Sequence, residues 1–66
     1  MTDKRNFLIY CADIYKDNKG LSGKELSQLF NKYNIWNFIY ECYEPLHTTG
    51  ELYIINDIDE FIKNRA

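Results

Sequence analysis

Nine consecutive residues, Asp17 to Glu25, set a helix stop directly against a helix start. Asp17-Asn18-Lys19-Gly20 suits a helix end, because glycine enters the left-handed region without a Cβ clash. Immediately after, Ser22-Gly23-Lys24-Glu25 has capping-box spacing. The Ser22 hydroxyl can accept from the Glu25 amide, and the Glu25 carboxylate can reach back to the Ser22 amide. Leu21 and Leu26 stand where a hydrophobic staple would hold them.

The apolar patterns on either side are helical as well. Phe7, Leu8, Cys11, Ile14 and Tyr15 recur at the spacing of one buried helix face, predicting a first helix over residues 3–18. Ile9 and Tyr10 widen its stripe, and Thr2 or Asp3 is placed to cap it. The second helix runs to about Lys32 with Leu26, Leu29, Phe30 and Tyr33 inward. After a turn at Asn31–Asn34, a third begins near Ile35 and gathers Ile35, Phe38, Ile39, Cys42, Tyr43 and Leu46 on one face. Trp36 and Tyr40 lie on an adjoining face. Pro45 has no amide to donate, so a kink or restart is expected there, with His47-Thr48-Thr49-Gly50 closing the helix. Tyr53-Ile54-Ile55 has strand propensity but cannot form a sheet alone. Glu51–Ile55 is therefore expected to be a short extended connector. Asp57-Ile58-Asp59-Glu60 reads as a second capping box, opening a last helix through Asn64 with Ile58, Phe61 and Ile62 inward. The fold class is all-α: one compact domain over residues 1–66, of three or four helices, with a helix-turn-helix-like core.

A chain of 66 residues buries only about 60% of its unfolded surface and is marginal without help. Eleven aromatics promise a dense core, and a surplus of rings would form a contact surface, either for self-association (a homodimer) or for another protein. Charge is divided unevenly. Residues 1–32 carry six basic and four acidic side chains, whereas Tyr33 to Ile62 carries six acids and no Lys or Arg. Such a block repels a phosphate backbone and steers encounter with a basic protein surface, so nucleic acid is not the expected partner. The polar start of the chain and the lack of a long apolar run point to a cytoplasmic protein with no membrane role. Cys11 and Cys42 lie on apolar helix faces and are expected as reduced, buried thiols.

Motifs that could carry chemistry are thin. Glu44 precedes His47 by three residues, so an acid/base pair is conceivable, but neither a nucleophile nor an oxyanion loop accompanies it. A histidine bonding backbone at a helix end is the simpler reading. Leu21-Ser22-Gly23-Lys24 lacks the strand and glycine spacing of a phosphate loop. Asp57, Asp59 and Glu60 suit a helix N-terminus better than a calcium loop. A helix-turn-helix reader would need cations on its second helix, yet Ile35–Glu44 offers acids and one Asn. No catalytic residue, metal or cofactor is expected, and the chain does not read as an enzyme. The side chains that suit an interface are Trp36, Tyr40, Tyr43, Glu44, His47 and Tyr53, since Trp and Tyr combine large contact area with a polar tip.

Tyr15-Lys16, Leu21–Glu25, Phe30–Tyr33 and above all Tyr43–Ile62, with its Leu-His-Thr, Gly, Tyr-Ile-Ile and Asp-Ile-Asp elements, resemble an uncharacterised family of short bacterial proteins, domain of unknown function 3791. The resemblance brings no activity. It implies an accessory or antitoxin-like role, because such proteins are encoded beside genes resembling ADP-ribosyltransferase-like toxins. It carries over Leu46, His47, Gly50, Tyr53, Asp57 and Ile58 as a structural signature. The expected function is a small protein-interaction module binding a basic partner surface. The alternative is a transcriptional or nucleic-acid regulator.

Overall fold

A computed structural model describes the backbone of residues 3–66 and the side chains of residues 4–66. Five helices follow in order: α1 (Asp3–Lys19), α2 (Gly23–Lys32), α3 (Ile35–Glu41), α4 (Tyr43–Leu46) and α5 (Glu51–Arg65). No strand occurs among the described residues. The expected cap at Thr2 or Asp3 falls outside the described side chains.

The stop and start at 17–25 form as their residue types require. Gly20 takes φ +67°, the Gly20 amide bonds the Asp17 carbonyl at 3.3 Å, and the Leu21 amide bonds that of Lys16 at 2.9 Å. This is the paired closure of a Schellman end. The capping box is complete: the Glu25 amide donates to Ser22 Oγ at 3.1 Å, and the Ser22 amide to Glu25 Oε1 at 2.8 Å. The next turn pivots on Asn34, at φ 55° and ψ 40°, a left-handed conformation that asparagine tolerates better than most residues.

Two boundaries differ from the sequence reading. The third helix breaks at Cys42 (φ −101°, ψ 21°) rather than at Pro45. The proline ring would clash with a helical carbonyl four residues back, so the chain must open upstream of it. Pro45 then sits inside the first turn of α4, where its missing amide costs nothing. The larger correction concerns Glu51–Ile55, which is not an extended connector but the beginning of α5. Gly50, extended at φ −82° and ψ 171°, is its N-cap, and the Ile54 amide already bonds the Gly50 carbonyl at 3.1 Å. The Asp57 capping box accordingly never forms, because those residues lie mid-helix. Burial decides this. Ile54, Ile55 and Ile58 are all buried and share one face only if the helix is continuous. Each buried isoleucine is worth about 1.5–3 kcal/mol, against a β-branched helix penalty of at most about 0.7 kcal/mol.

The core gathers Cys11 and Tyr15 from α1, Leu26 and Phe30 from α2, Ile35 and Ile39 from α3, Leu46 from α4, and the three isoleucines of α5. α1 packs on α2, α3 and α5, and α3 packs on α1, α2 and α4. The radius of gyration is 11.0 Å, matching the roughly 11 Å of a compact domain of this length. A single chain therefore closes its own core. No helix among the described residues is long and apolar enough to cross a membrane.

Candidate functional site

The chemistry-bearing segment His47–Gly50 is a helix terminator. A helix leaves its last four carbonyls without intrahelical donors, and α4 is only four residues long. The Tyr43 carbonyl receives the His47 amide at 2.9 Å, and His47 Nδ1 lies 2.9 Å from it and 2.8 Å from the Glu44 carbonyl. Thr48 Oγ1 donates to the Pro45 carbonyl at 3.2 Å, and Thr49 Oγ1 to that of Leu46 at 2.8 Å. All four carbonyls are thus satisfied by the next three residues. Because both neighbours of Nδ1 are carbonyl oxygens, Nδ1 must carry the proton. The imidazole stacks on Tyr43 with centroids 4.4 Å apart and planes 7° from parallel. His47 is held as a structural cap. Its hydrogen bond toward Glu44 goes to the backbone, so the geometry supplies no carboxylate–imidazole pair.

The six expected interface residues differ in exposure and surroundings. Tyr40, Tyr43, Glu44 and His47 cluster along α3 and α4. Lys4 Nζ lies 4.5 Å from the Tyr40 ring centroid and 5.9 Å from that of Tyr43, and Phe7 meets Tyr43 edge-on at 5.4 Å. Tyr40 remains 48% exposed. Trp36 is half-buried instead, its ring edge-on to Phe30 at 4.9 Å, and serves mainly as core. Tyr53 projects from the first turns of α5 and is 57% exposed.

The sequence reading missed a second surface. Between α1 and α5 runs a groove of about 340 Å³ lined by Ile14, Asp17, Asn18, Glu51, Leu52 and Ile55. Leu52 is 77% exposed. The Tyr10 hydroxyl reaches toward Glu51 Oε2 at 3.5 Å. Reading 51–55 as helix would have revealed it, since Leu52 and Tyr53 then fall off the buried face.

Ionisable groups inside the fold serve structure. Tyr15, 4% exposed, donates from its hydroxyl to Asp59 Oδ1 at 2.6 Å, while Lys19 Nζ meets Asp59 Oδ2 at 2.9 Å. Burial and the adjacent carboxylate push the Tyr15 phenol well above its ordinary pKa. Partial burial would raise the Asp59 carboxyl, but the bonds from Lys19 and Tyr15 outweigh it and hold the group below its usual value. Cys11 is a buried free thiol pushed up to about 12 by desolvation. Cys42 is free and half-buried. Among the described residues no cluster of His, Cys, Asp or Glu could hold a metal ion.

These features define a small all-α domain with a locally capped helix end and a surface groove between α1 and α5. The chain belongs to the family described as protein of unknown function (DUF3791), whose model matches residues 6–65. No curated protein and no solved structure matches it.

Proposed function

We propose that this chain is a protein-docking module, an accessory or antitoxin-like protein of the cytoplasm, whose α1–α5 groove takes an apolar anchor flanked by basic residues on another polypeptide. The observation that carries this reading is Leu52, 77% exposed in a groove that Ile14, Ile55, Asp17 and Glu51 also line. A leucine so exposed gains most by burial in a partner, and the Glu51 carboxylate favours a cation beside that anchor, whereas Asp17 is already paired with Lys16 at 3.5 Å. The exposed ring of Tyr53, next to Leu52 in the first turns of α5, extends the contact area. Self-association through the groove is disfavoured, because a two-fold contact would bring its two acids, Asp17 and Glu51, near those of its own copy.

A photo-crosslinker at position 52 captures the partner, and calorimetry then measures its binding. Leu52→Asp should weaken that binding at least about tenfold, as expected for losing a central anchor, and added salt should weaken it further. Wild-type affinity in Leu52→Asp, together with indifference to salt, would refute the reading. The regulator alternative draws little support from α3, whose sequence carries no Lys or Arg. Lys16 and Lys19 are already engaged by Asp17 and Asp59. A salt-sensitive mobility shift with DNA would favour that alternative.

A further inference from the structure

The acidic block of the chain is bracketed by Lys32 and by Lys63 and Arg65, and folding brings Lys32 and Arg65 to one place. They line a groove of about 700 Å³ where the α2–α3 turn meets the end of α5, and no acid is among its lining residues. Each cation sits in the last turn of its helix, where it complements the macrodipole. The dipoles do not, however, require both cations to share a groove. Among the described residues neither forms a salt bridge: Lys32 lies over the Tyr33 ring at 5.3 Å and Arg65 over the Phe61 ring at 4.2 Å. Two like charges converging without an acid raise the local potential, and an anion would relieve it.

The remaining walls suit a flat ligand. Phe38 stacks on Phe61 with centroids 4.2 Å apart, which fixes an aromatic base, and Tyr33 offers a further half-buried ring. Asn34, Asn37 and Asn64 supply carboxamides, each able to donate and accept. The left-handed backbone of Asn34 turns the chain between Lys32 and α3, so that both border the groove. We infer that this groove binds a small molecule carrying an oxyanion, phosphate or carboxylate, on a planar ring. The cations hold the oxyanion, and the rings and carboxamides hold the flat portion. This site is separate from the α1–α5 groove and does not depend on it.

Amide-resolved NMR titration of the whole protein tests the inference, with adenosine monophosphate, benzoate, inorganic phosphate and adenosine as probes. Saturable shifts confined to residues 32–38 and 61–65 are expected with the monophosphate or with benzoate, and whichever is tighter identifies the oxyanion. Lys32→Ala and Arg65→Ala should each weaken binding about tenfold, the scale of one lost charge-assisted hydrogen bond. Lys32→Arg should retain it. Both cations are exposed, and an unchanged circular dichroism spectrum checks that each variant is folded. The inference is overturned if neither ring-bearing anion gives saturable shifts there. It is equally overturned if adenosine matches the monophosphate and benzoate does not bind, or if the double alanine variant binds as wild type does.

Discussion

Asp59 ties α5 to α1 through two bonds, and replacing it tests whether the tie carries stability. Its Oδ1 accepts from the Tyr15 hydroxyl at 2.6 Å and its Oδ2 from Lys19 at 2.9 Å. A hydrogen bond to a charged group contributes about 1.5–3 kcal/mol. The Asp59 side chain is 41% exposed, so solvent screening places the Tyr15 bond at the low end, near 1.5 kcal/mol. The Lys19 pair, exposed on both sides, adds roughly 0.5 kcal/mol, and the better helix propensity of alanine returns a similar amount. Asp59→Ala should therefore destabilise by about 1.5 kcal/mol, or roughly 6–12 °C in Tm for a domain of this size. Tyr15→Phe keeps the ring and loses the hydroxyl, so urea titrations of the two single variants and the double variant isolate the pair. The expected coupling is about 1 kcal/mol, whereas additivity within about 0.3 kcal/mol would refute the argument. The pH dependence gives a second reading. The folded Asp59 pKa is depressed, so its contribution is present above the unfolded value of about 3.9 and is lost as pH falls through the folded one. The folded Tyr15 pKa is raised, so its contribution holds below about pH 10 and is lost as pH rises through the folded value. Tyr15→Phe should flatten the alkaline limb, and Asp59→Ala the acidic one.

Further expectations follow from the caps and the thiols. Ser22→Ala should cost about 1 kcal/mol by urea titration, since it removes the acceptor for the Glu25 amide. At Asn34, alanine should cost about 1–2 kcal/mol for its left-handed backbone, whereas glycine should be within about 0.5 kcal/mol of wild type. His47→Ala leaves the Glu44 carbonyl without its Nδ1 donor and should lower stability by about 1 kcal/mol. Unchanged melting in that variant would deny the capping role. With a thiol reagent at mildly alkaline pH, Cys42 should react in the native protein and Cys11 only as fast as the chain opens, because a thiol held near 12 presents almost no thiolate. A Cys42→Ser variant should then be silent until denatured.

The features legible before the fold was known are those completed within a few residues. The left-handed stop at Gly20, the box between Ser22 and Glu25, and the turn chemistry of His47–Gly50 each join groups at most four or five positions apart. Residue type and spacing therefore suffice to specify them. The same locality misled at Asp57, whose spacing imitates a helix start, and at Tyr53-Ile54-Ile55, whose β-branched pair imitates a strand. There the choice belonged to burial. Ile54, Ile55 and Ile58 reach one core only on an unbroken helix, and that core is built by α1, α2 and α3, which lie far away in the chain. Likewise, Trp36 and Tyr40 looked alike in sequence, but one was half-buried against Phe30 and the other left exposed. The pairing of Asp59 with Tyr15, the exposure of Leu52 and the meeting of Lys32 with Arg65 also depend on how α5 packs against α1 and the α2–α3 turn. Short-range hydrogen bonding is written in neighbouring residues, whereas burial and the convergence of charge are properties of the packed chain.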